Sequence, residues 1–290
     1  MSISLPELTP AQESLFLTLG GRALDSTLPL PFLGDALARE ILTKTGYDMD
    51  RLPAMTTKVL DARAKVFDIA VRAKKFDAIV KRFVADHPDA IVVELGAGLD
   101  TRMLRVVPPP SVDWYDVDFP AIVELRRKLL PQPANSHLIG ADLEEPGWLD
   151  ALPNDRPAVL VADGLVAFLR QECFVRLLNA VVSHFSYGEV AFNAYTKYTV
   201  WLLKHLPTVS AIAQGVVNPG FNNPREPEEW ARGLTLVEED LLTRRPEVAD
   251  LPLARRLTFR VAALSVTASR LSSTAVLRYE FGRSTPQAQR

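Results

Sequence analysis

Cysteine is nearly absent from this chain of 290 residues, where Cys173 stands alone. A single thiol forms no internal disulfide and cannot supply the cysteine cluster of a structural zinc site. Beside Phe174 in an amphipathic stretch, it reads as a small buried hydrophobe. Long apolar runs are missing too, so no stretch is suited to cross a bilayer as a helix. Near the start, Pro6, Glu7 and Pro10 stand where a secretory leader would need apolar residues. Nor does charge of one sign prevail: 33 Lys and Arg face 35 Asp and Glu, a formal net charge of -2. That balance argues against nucleic acid or an anionic membrane as a partner. Internal repeats and low-complexity tracts are not found. A cytoplasmic globular enzyme is expected, with a small-molecule substrate and no metal. With 48% hydrophobic residues, the chain can bury one large core.

What is present changes texture near residue 88. Before it, Leu15, Phe16 and Leu19 recur at helical spacing from Pro10 to about Arg22, with Gly20-Gly21 expected to interrupt the helix. Gly34 to Thr45 reads as another helix. A long amphipathic pattern then runs from Pro53 to His87 through Val59, Leu60, Val66, Phe67, Phe76, Ile79, Val80 and Phe83. Residues 1–88 are therefore expected to form a helical cap. After it, short β-branched runs occur at Ala90–Leu95, Val112–Val117, His137–Ile139, Ala158–Ala162 and Glu189–Ala194. Between them lie the helical stretches Thr101–Val107, Pro120–Leu130, Trp148–Leu152 and Arg170–Phe185. This alternation predicts an α/β, Rossmann-like fold, with a mostly parallel sheet and helices on both faces. Ligands of such sheets sit at the carboxyl ends of the strands.

Residues 89–290 would form that domain, with a helical lid insert at about 197–230. The insert carries Trp201, Leu202, Leu203 and Leu206, then the turn-rich segment Asn218 to Pro224. The tail predicts a short run at Leu234–Val237, a helix from Glu238, another near Ala254–Ala268, a strand near Ala275–Phe281, and frayed residues from Ser284 to Arg290.

The sharpest chemical signal is Glu94-Leu95-Gly96-Ala97-Gly98-Leu99-Asp100-Thr101-Arg102, where a strand turns through two glycines into a helix. Glycine suits a turn whose backbone must approach a ligand closely. A third glycine, which a dinucleotide fingerprint would place near Thr101 and Arg102, is missing. Glu94 instead offers a carboxylate to a cationic ammonium, as on a cofactor that carries an amino acid. Asp116, 18 residues after Gly98, ends the second run and could accept from ribose hydroxyls; Asp118 is the alternative, or caps the next helix. After the third run, Asp142 could accept from an adenine amino group while Leu143 packs on the ring, although a helix cap or plain turn has the same look. Asp163 ends the fourth run, beside the expected reactive end of the cofactor or as a simple turn residue. Acids at four consecutive strand ends describe a nucleoside site. No catalytic base is assigned: His184 reads as packing or helix-end solvation, and His205, Tyr195 and Tyr198 as pocket wall or as groups that orient an acceptor.

These motifs resemble the family that unites leucine carboxyl methyltransferases with tetracenomycin-type polyketide O-methyltransferases. Gly21-Arg22-Ala23-Leu24-Asp25-Ser26 is similar to its opening, Ala62 to Asp68 to its Arg-Thr-Arg-x-Phe-Asp helix, and Asp100-Thr101-Arg102 to its cofactor loop. Asp116 to Pro120, Gly140 to Leu143 and Ala162 to Leu169 resemble its later motifs, with Asp163 where a Glu is common and Ala167 close to a frequent Tyr. The resemblance implies a class I methyltransferase fold and S-adenosyl-L-methionine as cofactor. It also implies that Arg63 grips the cofactor's carboxylate, and that the acceptor is a small polyketide-like carboxylate or phenol, the alternatives being a protein C-terminal carboxyl methyltransferase or a non-catalytic S-adenosyl-L-methionine-binding protein.

Overall fold

The computed structural model describes residues 5–282 apart from 57, 59 and 206–212. Val59 and Leu206 of the expected apolar pattern, and the tail from Ser284, lie outside the described residues. The chain opens with α1 (Pro10–Asp25), α2 (Ala36–Thr45), the short α3 (Pro53–Thr56) and α4 (Ala62–Asp86). Strands and helices then alternate: β1 (Ile91–Leu95), α5 (Arg102–Val106), β2 (Asp113–Asp118), α6 (Pro120–Leu129), β3 (Ser136–Gly140), β4 (Ala158–Ala162), α7 (Gln171–His184) and β5 (Tyr187–Ala194). The rest comprises α8 (Lys197–His205), α9 (Glu226–Trp230), β6 (Thr235–Leu241), α10 (Leu253–Ala262), α11 (Val266–Ser272) and β7 (Ala275–Gly282).

The seven strands form one sheet in the order β3-β2-β1-β4-β5-β7-β6. β1 to β5 pair in parallel, while β7 runs antiparallel between β5 and β6. Strand order reverses at β1, between β2 and β4, which opens a crevice above their carboxyl ends. Side chains alternate across the sheet. Val92, Trp114, Val159, Val161 and Val276 pack against Phe76, Ile79, Val80 and Phe83 of α4. Val93, Val117, Leu160 and Phe192 face Phe174, Leu177 and Val181 of α7. The second half of α4 is thus built into the sheet's own core, and the preface and the sheet share that layer.

The structure corrects four local expectations. Gly20-Gly21 does not interrupt α1: a Cβ on Gly20 would stand 2.4 Å from Met49 Cε, and one on Gly21 2.5 Å from Ile69 Cδ1. The two glycines let the helix press against its neighbours, and Thr9 with Gln12 closes its start as a capping box. The long pattern from Pro53 is two helices, with Asp61 capping the second through the Arg63 N–H. From Glu238 the chain is strand, not helix. Lys75 pairs with Glu238 and Asp240, and Arg270 with Glu239, so the acids that suggested a helix are satisfied across an edge strand. The stretch expected as one helix at Ala254–Ala268 also divides, with Ser265 capping α11.

Candidate functional site

The alternation that buries Val92, Trp114 and Val159 toward α4 carries Glu94, Asp116 and Asp118, and one step beyond β4 Asp163, to the same side of the sheet. Near their carboxyl ends lies a cavity of about 740 Å³, lined by Glu94, Gly96, Gly98, Asp118, Asp163 and Phe168, among others. A second cavity of about 670 Å³ shares Gly96, Asp118 and Phe168 and extends over Asp142 and Leu143. Together they make a continuous groove from the end of β4, over the glycine turn, to the end of β3. Helix α1 contributes Gln12, Leu15, Thr18 and Arg22 to the wall.

The glycine turn is held from several sides. Gly96 has φ +65° and Gly98 φ +49°, left-handed conformations that favour glycine. Asp118 accepts from the Gly98 N–H at 2.7 Å through Oδ2 and from the Phe119 N–H at 2.7 Å through Oδ1. It therefore clasps the turn and the entry of α6 together. Burial pushes its carboxyl up, against the pull of these two backbone donors. Arg126 donates to the carbonyls of Ala97, Gly98 and Asp100 from the other side.

Beneath the turn lies a buried ionic network. Arg102 donates to Glu94 Oε2 at 2.6 Å, to Asp77 Oδ1 at 2.9 Å, and to Asp163 Oδ2 at 3.1 Å. Arg105 joins Asp77, Asp100 and Asp35, and Arg22 joins Asp35 and the Leu99 carbonyl. Burial alone would raise Asp100, yet Arg105, Arg22 and Arg102 hold it well below the usual carboxylate range. Glu94 goes the other way: burial pushes it up to about 7, and Asp100 adds to this against the pull of Arg102. Its Oε1 is buried and has no hydrogen-bond partner among the described residues. A buried acceptor left open at a cavity wall is what a bound ammonium would satisfy.

The structure brings seven of the nine expected residues to this groove: Glu94, Gly96, Gly98, Asp118, Asp142, Leu143 and Asp163. Two it does not. Asp116 lies two residues deeper than Asp118, paired with Glu94 in the ladder, and its carboxylate is taken by Trp114 Nε1 and Arg126. Arg63 donates to the carbonyls of Leu30 and Asp250 at 2.7 and 2.8 Å and lies over the Phe32 ring. The α4 arginine at the strand ends is Arg72, whose Nε meets Asp163 Oδ1 at 2.5 Å. Nine residues separate the two arginines, about 13.5 Å of rise and about 900° of turn, which puts them on opposite faces of the helix. Arg72 heads the stripe that continues through Phe76, Ile79, Val80 and Phe83; an arginine on a core stripe was the signal available in the sequence. The histidines lie elsewhere: His184, read as packing, meets the Leu152 carbonyl, whereas His205, read as pocket wall, meets that of Trp201 and does not line the groove.

Comparison with known proteins places this geometry in context. The family model described as leucine carboxyl methyltransferase matches residues 16–182. The tetracenomycin polyketide synthesis O-methyltransferase of Streptomyces glaucescens is 38% identical over 84% of this chain and 87% of its own. An S-adenosyl-L-methionine-dependent methyltransferase of Gibberella zeae is 28% identical over 78% of this chain and 80% of its own. In fold, the CurJ carbon methyltransferase superposes with a TM-score of 0.53 at 14% identity, covering 94% of this chain and 68% of that one. A solved structure from Thermobifida fusca YX gives 0.52 at 16% identity, covering 91% and 94%.

Proposed function

The chain belongs to the leucine carboxyl methyltransferase family, and on that premise we propose that it is an S-adenosyl-L-methionine-dependent O-methyltransferase acting on a small polyketide-like phenol or carboxylic acid. The observation that carries the cofactor assignment is Glu94 Oε1, a buried acceptor without a partner among the described residues, in a groove that ends on further carboxylates. Glu94 would receive the cofactor's ammonium. Asp118 retains lone pairs beyond the two N–H groups it accepts, and these suit ribose hydroxyls. Asp142 and Leu143 would hold the adenine, with Gly96 and Gly98 giving the backbone close approach. Asp163 would stand at the reacting end. Arg22 and Arg72 are added to this set in place of Arg63, and Asp118 replaces Asp116 at the ribose.

When bound, the cofactor supplies a sulfonium methyl group for in-line displacement at carbon. The residues of the chain then contribute alignment and the exclusion of water. α1 already forms one wall of the groove, which supports a lid made from the N-terminal helices. The insert at about 197–230 would complete it: the Val217 and Asn218 N–H groups bond to the Ala167 carbonyl, next to Phe168 of the cavity wall. A carboxylic acid acceptor is ionised at neutral pH and needs no general base, whereas a phenol must first lose its proton. Among the described residues no helix is long and apolar enough to cross a membrane, and Cys173 is buried; both fit a cytoplasmic enzyme.

The direct test is turnover. The full chain, S-adenosyl-L-methionine and a panel of aromatic polyketide phenols and acids should release S-adenosylhomocysteine together with a product heavier by one methylene. Release with amine acceptors alone would refute the O-methyltransferase reading.

A further inference from the structure

Helix α10 is apolar on two opposite sides. Its inner side carries the buried Phe259 and Ala262, and Phe259 meets the Phe67 ring edge-on at 5.5 Å, as Phe67 meets Phe32. Turned the other way stand Leu253, Leu257 and Val261, and then Leu264 in the turn that follows. Spacings of four, four and three put these residues in one stripe. Leu257 points roughly 160° away from Phe259 around the helix. A helix with apolar residues all round is one that is covered all round.

Arg63 extends the patch. Its guanidinium donates to the carbonyls of both Leu30 and Asp250, which sets Leu30 beside the start of α10. Leu30, Leu253, Leu257, Val261 and Leu264 are 51% to 86% exposed. Together they present roughly 600 Å², as much as the largest apolar patch of a typical monomer. A standard interface takes about 800 Å² from each partner, about 65% of it apolar in homodimers, so roughly 500 Å². The patch alone meets that requirement. Its rim carries unequal charges. Arg255 lies over the Phe259 ring at 4.3 Å, and Arg256 donates to the Ala249 carbonyl at 3.1 Å. Arg260, exposed beside the stripe near the end of α10, has no partner among the described residues. Asp250, just before the start of α10, is exposed and lies 3.9 Å from Arg63 Nη2.

We propose that this face is the twofold interface of a homodimer, in which α10 packs antiparallel to the same helix of a second copy about an axis near Leu257. Antiparallel packing sets Leu253 against Val261 of the partner subunit, and Arg260 toward Asp250 of the partner subunit. One surface then supplies both halves of the apolar contact and both members of each ion pair, as a twofold contact requires. An anionic membrane fits the face less well, because Arg255 and Arg256 turn to their own chain and Asp250 would be repelled. No residue of α10 lines the groove, so the interface is independent of the methyltransferase reading.

Sedimentation equilibrium of the full chain tests the proposal. The unaltered protein should be a dimer with a dissociation constant of about 10 μM or below. Leu257→Glu should raise that constant about a hundredfold or more, since two carboxylates would meet at the axis. Arg260→Glu should raise it about tenfold, and adding Asp250→Arg to the same chain should bring it back to within about threefold. Near-UV circular dichroism like that of the unaltered protein reports that each variant is folded. Should Leu257→Glu fail that control, the charge reversal decides alone. A monomer at every concentration up to about 100 μM would overturn the proposal. A dimer indifferent to Leu257→Glu, or a charge reversal without rescue, would do the same. A monomeric protein that floats with phosphatidylserine vesicles would also overturn it and assign the face to a membrane surface.

Discussion

Two ionic clusters of similar composition sit at opposite ends of the sheet's logic. Around the glycine turn, Arg102 links Glu94, Asp77, Asp100 and Asp163 with a side chain 1% exposed. At the antiparallel edge, Arg270 grips Glu239 with both nitrogens, 26% exposed, and Lys75 and Arg278 share Glu238. The edge cluster faces solvent and ties a charged strand into place. The buried one has no such relief, so each charge depends on its partners, and Glu94 is left with one oxygen open. Burial, rather than the count of ion pairs, separates a scaffold from a site.

Substitution should expose that difference. Arg102→Met leaves several buried carboxylates unmatched and should cost about 3–5 kcal/mol of stability, read by urea denaturation, with cofactor binding lost alongside. A loss below about 1 kcal/mol would mean the network is wetter than its geometry indicates.

The next effect in size is a pH dependence. Folded Glu94 gives up its proton near 7, above the roughly 4.3 of an unfolded glutamate. Between those values the folded state holds more protons, so this group's contribution to stability falls as pH rises through that window. Binding goes the opposite way, because an ammonium needs the ionised carboxylate. Affinity for S-adenosylhomocysteine should rise about tenfold from pH 6 to pH 8, and Glu94→Gln should flatten the profile. An unchanged slope in that variant would remove Glu94 from the cofactor site.

The smallest effect belongs to the edge cluster. Arg270→Met should cost no more than about 1 kcal/mol by thermal or urea unfolding and leave cofactor affinity alone. Arg63→Ala should also leave that affinity unchanged in a calorimetric titration, since its guanidinium is held by Leu30, Asp250 and Phe32.

Much of the fold could be read from the sequence because its signals are local. Five β-branched runs with helices between them are self-announcing, and the glycine turn carries its own chemistry. The second half of β6 was hidden because Glu238, Glu239 and Asp240 look helical until Lys75, Arg270 and Arg278 arrive from distant positions. The site was legible to the level of which strand ends carry acids. Choosing Asp118 over Asp116 needed the ladder, which sets Asp116 beside Glu94 and ends on Asp118. Choosing Arg72 over Arg63 needed the phase of α4 against the sheet. Arg22, quoted within a motif but given no role, gained one only when α1 folded over the groove.

Calorimetric titration of S-adenosylhomocysteine into the full chain and its Asp118→Ala variant tests the central claim most directly. If the groove over the strand ends is the cofactor site, the unaltered protein binds and the variant binds more weakly by about 1.5–3 kcal/mol, the worth of a hydrogen bond to a charged group. Equal affinity in both proteins, or no binding by the folded unaltered chain, would contradict the account.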